Sequence, residues 1–132
     1  MFAKLRTLGE VNLAIQVVYY QEDEKNVPMA EWLDKLPAKA LQKCLVRLER
    51  LEQLGHELRR PEADYLRDNE LRASYQRVNY RMLYFFYRRV AVVVSHGLTK
   101  ERAVPPREID LAIKRERQFE ANPKRHTFKP KG

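Results

Sequence analysis

The stretch ELRASYQRVNYRMLYFFYRRVAVVVSHGLTK, residues 70–100, decides the fold because three apolar, β-branched and aromatic runs follow one another in it. These runs predict strands over Glu70–Gln76, Val78–Tyr87 and Val90–Leu98. The connections QR and RR contain neither Gly nor Asn, so the prediction depends on apolar content and not on a turn signal. Cations lie inside and beside these runs, although burying an unpaired guanidinium costs several kcal/mol.

Helical patterns flank the strands, and one further strand precedes them. AIQVVYY, residues 14–20, is short, β-branched and aromatic, which predicts a strand. Proline fits the first turn of a helix, so Pro28 and Pro37 open two helices joined at LP, and the pair at 105–106 opens a third. The second helix extends to Leu54 and has an apolar stripe made of Leu41, Cys44, Leu45, Leu48, Leu51 and Leu54.

The order of elements is therefore β-α-α-β-β-β-α, which predicts an α+β fold. We expect a small, mostly antiparallel, four-stranded sheet with an N-terminal helical hairpin packed on it and a C-terminal helix. Residues 1–13 form an N-terminal extension in this interpretation, and residues 14–122 form one domain. Residues 123–132 form a basic C-terminal tail, which we expect to be flexible.

The charge of the chain is concentrated in its second part. Residues 58–132 hold 18 Lys and Arg against 9 Asp and Glu, whereas residues 1–57 hold 8 against 9, and the net charge of all 132 residues is +8. Such asymmetry favours a polyanionic partner, most often nucleic acid. Solubility, or an acidic protein partner, are the alternatives. Cys44 is the only cysteine, so we expect a cytoplasmic protein. No apolar run approaches the roughly 20 residues of a membrane span, so we expect no contact with a membrane.

The sequence lacks the motifs of several kinds of functional site. The three histidines and one cysteine are scattered without metal-ligand spacing, and four glycines form no phosphate-binding loop. We therefore expect no metal and no cofactor, which leaves the basic sheet as the candidate site.

Side chains alternate along a strand, so Arg81 shares a face of the central strand with Asn79 and Tyr87. The same alternation predicts that His96 lies with Val92 and Val94. An open sheet face with cations and aromatic residues is a credible surface for RNA, because cations hold phosphates and aromatic rings stack on bases. Alternatively, Arg81 is a structural partner of Glu70 or Asp68, and the tyrosines belong to the core.

Several short motifs occur in a characteristic order between about Ala14 and Glu120. They are VPMAEWLDKLP, LVRLERLEQLGHEL followed by RRP, ELR, NYRMLYFF, HGLTKE and PPREIDLAIKR. Together they resemble the RelE/ParE superfamily of bacterial toxins, in particular its phage-derived HigB-like branch. The resemblance implies the toxin of a type II toxin-antitoxin system, a ribosome-dependent mRNA endoribonuclease that inhibits translation. It also implies a helix-turn-helix antitoxin as partner, and contact with operator DNA only through the antitoxin complex.

The resemblance also suggests site residues. Arg81 of NYR matches the arginine that such nucleases place near the scissile phosphate, Arg72 of ELR falls near a basic catalytic position, and Lys100 follows the last strand. His96 joins this predicted catalytic set because its side chain has the pKa suited to proton transfer. The predicted RNA-binding residues are Arg77, Asn79, Arg102 and Tyr87.

Two features depart from the family pattern and favour other functions. HGLTKE has Leu98 and Glu101 where the branch usually has an aromatic residue and a second lysine, and AVPPREI contains no tyrosine. The alternatives are a non-catalytic toxin that acts on DNA gyrase, as ParE members do, and an inactive relative that binds only antitoxin and operator DNA.

Overall fold

The computed structural model describes residues 15–58, 62–65, 69–99 and 103–130. The α+β fold class and the predicted order of the main elements are confirmed. None of the described helices is long and apolar enough to cross a membrane. The elements in chain order are β1 (Gln16–Tyr20), α1 (Pro28–Asp34), α2 (Ala38–Leu54), β2 (Ala63–Tyr65), β3 (Asn69–Tyr75), β4 (Val78–Tyr87), β5 (Ala91–Thr99), α3 (Pro106–Ala121), α4 (Pro123–His126) and β6 (Thr127–Phe128).

The described strands form one six-stranded sheet in the order β2-β3-β4-β5-β1-β6. Only β1 and β5 pair in parallel, and the other neighbours are antiparallel. The sheet exceeds the predicted four strands by β2 and β6, which have three and two residues and are too short to show a periodic pattern. The expected flexibility of the tail is wrong for residues 123–128, because α4 and β6 return this segment to the edge of β1.

The helices α1 and α2 cover one face of the sheet. From α2, the residues Ala40, Cys44, Leu48 and Leu51 are buried. From β4, Tyr80, Met82 and Tyr84 enter the same core cluster. The prediction that Leu45 belongs to the buried stripe is wrong, since its side chain is 46% exposed. Leu45 lies roughly 100° around the helix from the buried Cys44.

Helix α3 covers the opposite face, which we call the α3 face. Leu83 packs with Ala112, and Phe85 and Tyr87 both make edge-to-face contacts with Phe119. The expectation of an open face is therefore wrong for this part of β4. Strand β4 is buried on both sides over Met82–Phe85, which explains its nearly continuous apolar sequence.

A β-bulge in β5 changes which face His96 occupies. Leu83 pairs with His96 but Tyr84 pairs with Val94, so Ser95 is the additional residue. The bulge shifts the alternation by one residue and moves His96 onto the α3 face, opposite to Val92 and Val94. The predicted grouping of these three residues is therefore wrong. After the bulge, Gly97 faces α1, where an added Cβ would lie 2.2 Å from Trp32.

The hairpin turns before and after β4, both within the described residues, form without glycine. At the β3–β4 turn, Gln76 has φ 51° and Arg77 has φ 69°, and at the β4–β5 turn Arg88 has φ 53°. Non-glycine residues enter this left-handed region at a cost of roughly 1–2 kcal/mol each. The long apolar strands on either side hold these turns in place.

The different positions of Leu48 and Leu45 provide a matched test of the fold. Leu48→Ala removes a core side chain and should lower the free energy of unfolding by roughly 2–5 kcal/mol. Leu45→Ala should change it by less than about 0.5 kcal/mol, since surface substitutions have small effects. Urea denaturation followed by circular dichroism measures both, and equal losses would contradict the assigned orientation of α2.

Candidate active site

Two arginines lie directly opposite each other at the border of the α3 face. The register of β3 and β4 pairs Arg72 with Arg81. Like charges in such a cross-strand position repel one another. One oxygen of Glu70, Oε2, accepts hydrogen bonds from Nη1 of Arg81 and, at 3.2 Å, from Nε of Arg72. The carboxylate therefore bridges the two guanidiniums and offsets their repulsion.

This group of three side chains, which we call the Glu70 triad, differs in exposure from member to member. The side chains of Arg81 and Glu70 are 12% and 9% exposed, whereas that of Arg72 is 35% exposed. Nε of Arg81 is buried with no hydrogen-bond partner among the described residues. Arg81 thus forms the ion pair with Glu70 that was the alternative interpretation of its sequence position. Its Nε remains an unused donor.

His96 lies on the same face, one strand further on. Leu98 is the residue opposite Arg81, so His96 is a diagonal neighbour with its Cα about 7–8 Å from that of Arg81. Nε2 of His96 is 3.0 Å from Glu108 Oε1, and Nδ1 is 2.7 Å from Ser95 Oγ. Because a carboxylate only accepts, Nε2 carries the proton in the neutral ring, and Nδ1 accepts from the Ser95 hydroxyl. Both ring nitrogens are therefore used inside the protein.

Arg115 of α3 closes this polar network. Its Nη1 donates to the carbonyl and hydroxyl oxygens of Ser95, and its Nε donates to Glu22 at 3.3 Å. Its guanidinium also lies 5.4 Å from the centre of the Tyr20 ring. The network joins β1, β5 and α3, so it fixes α3 on the sheet beside the Glu70 triad.

Burial and the Arg115 guanidinium lower the pKa of His96 below its ordinary value, against the opposing effect of the Glu108 carboxylate. The neutral imidazole is therefore the form that suits the folded protein. Sequence patterns do not reveal this network, because Glu108 shows only as an acidic residue in the first turn of a helix and the bulge at Ser95 has no recognisable signature.

The remaining predicted residues are spread over the sheet. Asn79 lies two residues from Arg81 on the same face, whereas Arg77 occupies the exposed hairpin turn. Tyr87 is six residues from Arg81, about 20 Å along the strand, and its ring packs on Phe119. The structure therefore brings Arg72, Arg81, Asn79 and His96 together but leaves Tyr87 apart. Lys100 and Arg102, and the departing Glu101, fall outside the described residues.

A second arginine cluster joins α2 to the edge of β3. Glu62 accepts hydrogen bonds from both Arg47 and Arg50, and these bonds, led by that from Arg50, hold the pKa of its carboxyl below the ordinary value. Nε of Arg47 donates to the backbone oxygen of Arg72. Arg72 is thus supported through its main chain by α2 and through its side chain by Glu70.

The Glu70 triad can bind an anion, since two guanidiniums and one carboxylate leave a net positive charge. Guanidinium groups present planar, paired donors that match the oxygens of a phosphate. Within the described ranges, no group of three or more His, Cys, Asp or Glu side chains is placed to hold a metal ion.

A family model described as phage-derived protein Gp49-like (DUF891) matches residues 31–117 of the chain. The match extends from α1 to α3 and so includes the Glu70 triad and His96. No curated protein is significantly similar to the chain.

The neutral state of His96 predicts how stability depends on pH. The unfolded chain takes up a proton at His96 below about pH 6.5, whereas the folded protein resists protonation because its pKa is lowered. The free energy of unfolding should therefore fall as the pH drops from about 8 to about 5.5.

His96→Gln removes this titration, so its stability should change less over the same pH interval. Urea denaturation midpoints at several pH values measure both slopes. A variant slope as steep as that of the wild type would show that His96 is not the group responsible.

Proposed function

The chain belongs to the Gp49-like family of phage-derived proteins, a RelE-like family, and from this premise we propose that it is the toxin of a type II toxin-antitoxin system. Its proposed activity is the cleavage of mRNA on the ribosome, as in the HigB-like branch. Translation then stops because transcripts are cut while they are being read.

The observation that carries this proposal is the convergence of Arg72 and Arg81 on one carboxylate oxygen. Both arginines lie in motifs that match the nuclease branch, and the register of β3 and β4 places them opposite each other. The surrounding chain is strongly basic, since residues 58–132 hold 18 cationic against 9 acidic side chains. Such charge supports binding to the RNA backbone.

The proposed reaction is attack of a ribose 2′-hydroxyl on the adjacent phosphate, which forms a 2′,3′-cyclic phosphate and breaks the bond to the 5′-oxygen of the next nucleotide. Water takes the proton of the 2′-hydroxyl and supplies one to the departing 5′-oxygen. Negative charge builds on the phosphoryl oxygens in the transition state. Arg81 stabilises that charge and Arg72 holds the substrate backbone, with Asn79 nearby on the same face. Losing one preorganised donor of this kind typically lowers the rate ~10²–10³-fold.

His96 has a structural role in this proposal. Its two nitrogens bond Ser95 and Glu108, and the ring is buried. It therefore fixes α3 beside the arginines and does not exchange protons with RNA. This role replaces the acid-base function that the side-chain type suggested.

A second candidate function is a toxin that acts on DNA gyrase without catalysis, as ParE members do. The observation in its favour is the burial of Arg81 against Glu70, which resembles a structural ion pair. In both functions we propose a helix-turn-helix antitoxin as partner and the cytoplasm as location. The two functions differ in whether cellular transcripts acquire new ends.

New transcript ends separate the two functions, and substitution of Arg81 tests whether this arginine is required. In growing cells, the wild-type protein should arrest growth and generate transcripts with new 5′ ends, which sequencing of those ends detects. Arg81→Ala should abolish both effects, and Arg81→Lys should restore them only partly, because lysine lacks the paired donors of guanidinium. Growth arrest without new ends would support the gyrase candidate.

Stability has to be measured in parallel, because Arg81→Ala leaves Glu70 with one cation fewer. A loss of roughly 3–5 kcal/mol is typical when one partner of a buried ion pair is removed. The double variant Glu70→Gln/Arg81→Ala removes the stranded charge and should regain much of that stability. If transcript cleavage returns with the stability, Arg81 is structural. If cleavage stays absent in the double variant while Glu70→Gln alone still cleaves, Arg81 acts on RNA.

A further inference from the structure

We propose that the carboxylate of Glu70 is an internal substitute for phosphate, which positions the two arginines until RNA takes its place. This role rests on the proposed function, because Glu70 would regulate the access of RNA to the same two arginines. Glu70 is a positioning residue here, because it acts on the substrate through the arginines.

The contacts of Glu70 are those that a phosphate oxygen would make. A single oxygen, Oε2, receives donors from both Arg72 and Arg81, so one anionic atom lies between two guanidiniums. The carboxylate comes from the same strand as Arg72, two residues away, and therefore lies beside it on the same face. It reaches the arginines without any rearrangement of the backbone.

The donors around Glu70 are not all used. Nε of Arg81 is buried and has no partner among the described residues. The edge of a guanidinium that presents Nε together with Nη2 matches two oxygens of one phosphate, whereas Glu70 bonds Nη1, which lies outside that edge. A phosphate carries more acceptor oxygens than a carboxylate, so it can add a bond to a donor of Arg81 that Glu70 leaves unused.

Exposure indicates how an anion would enter. The side chain of Arg72 is 35% exposed and that of Arg81 is 12% exposed, so an anion from solvent reaches the pair from the side of Arg72. Glu70 keeps the two like charges together in the absence of RNA, since cross-strand cations repel when nothing lies between them. Glu70 therefore lowers the affinity for RNA, because RNA has to displace the carboxylate from Arg81.

The test uses inorganic phosphate as the probe and the full-length protein. Isothermal titration calorimetry gives the affinity, and the Nε–H resonance of Arg81 in nitrogen-15 spectra reports the site directly. Glu70→Gln should bind phosphate about tenfold more tightly than the wild type, a difference of about 1.4 kcal/mol, because the neutral amide competes less. The Arg81 resonance should shift during the titration in both proteins.

Glu62→Gln is the matched control, because Glu62 also bridges two arginines, Arg47 and Arg50, and the substitution changes net charge equally. It should leave phosphate affinity at the Arg81 resonance within about twofold of wild type, since the carboxylate of Glu62 pairs with Arg47 and Arg50 and not with Arg81. An equal gain in both variants would overturn the proposal, because net charge alone would then explain it.

Two further outcomes decide the matter if Glu70→Gln is poorly folded. Titration of the wild type should shift the Arg81 resonance, and an unmoved resonance would overturn the proposal. Glu70→Asp shortens the side chain and should weaken the bridge while keeping the charge, so phosphate affinity should rise above the wild-type value. Phosphate binding without transcript cleavage in cells would reject the nuclease and leave the role of Glu70 intact.

Discussion

Two guanidiniums face each other across neighbouring strands, and a single buried carboxylate keeps them there. The register of β3 and β4 fixes Arg72 opposite Arg81, so without Glu70 the central strands would hold two repelling cations. With Glu70 in place, the pair is compatible with a well-packed sheet and retains one positive charge. In the role proposed for Glu70, the same contact holds the site together without a ligand and favours an anion that can replace a carboxylate.

The bulge at Ser95 adds a second constraint beside this triad. By moving His96 to the α3 face, it allows the ring to bond Glu108, while Ser95 itself bonds Arg115. Helix α3 is thus attached to β5 through Glu108 and Arg115, and to β4 through Phe119, which packs on Phe85. Its position leaves the arginines at the border of the covered face, where a ligand can approach Arg72.

The sequence predicted the fold well because its signals are local. Strand β4 has the predicted bounds, and prolines mark the start of α1 and α3. The short strands β2 and β6 escaped prediction because pairing with neighbours forms them, and two or three residues carry no period. For the site, alternation placed Arg81 on its face, but a single inserted residue reversed the face of His96. The bridge through Glu70 appeared only as one of two alternatives, because strand register was needed to choose it.

The central claim is that the arginines of this sheet act on a phosphodiester, and the products of the reaction test it most directly. Purified protein is added to ribosomes that carry a defined mRNA, and the ends of the fragments are analysed. Attack by the 2′-hydroxyl predicts upstream fragments that end in a 2′,3′-cyclic phosphate, formed only when ribosomes are present. Intact mRNA, or fragments with a free 3′-hydroxyl, would contradict the account.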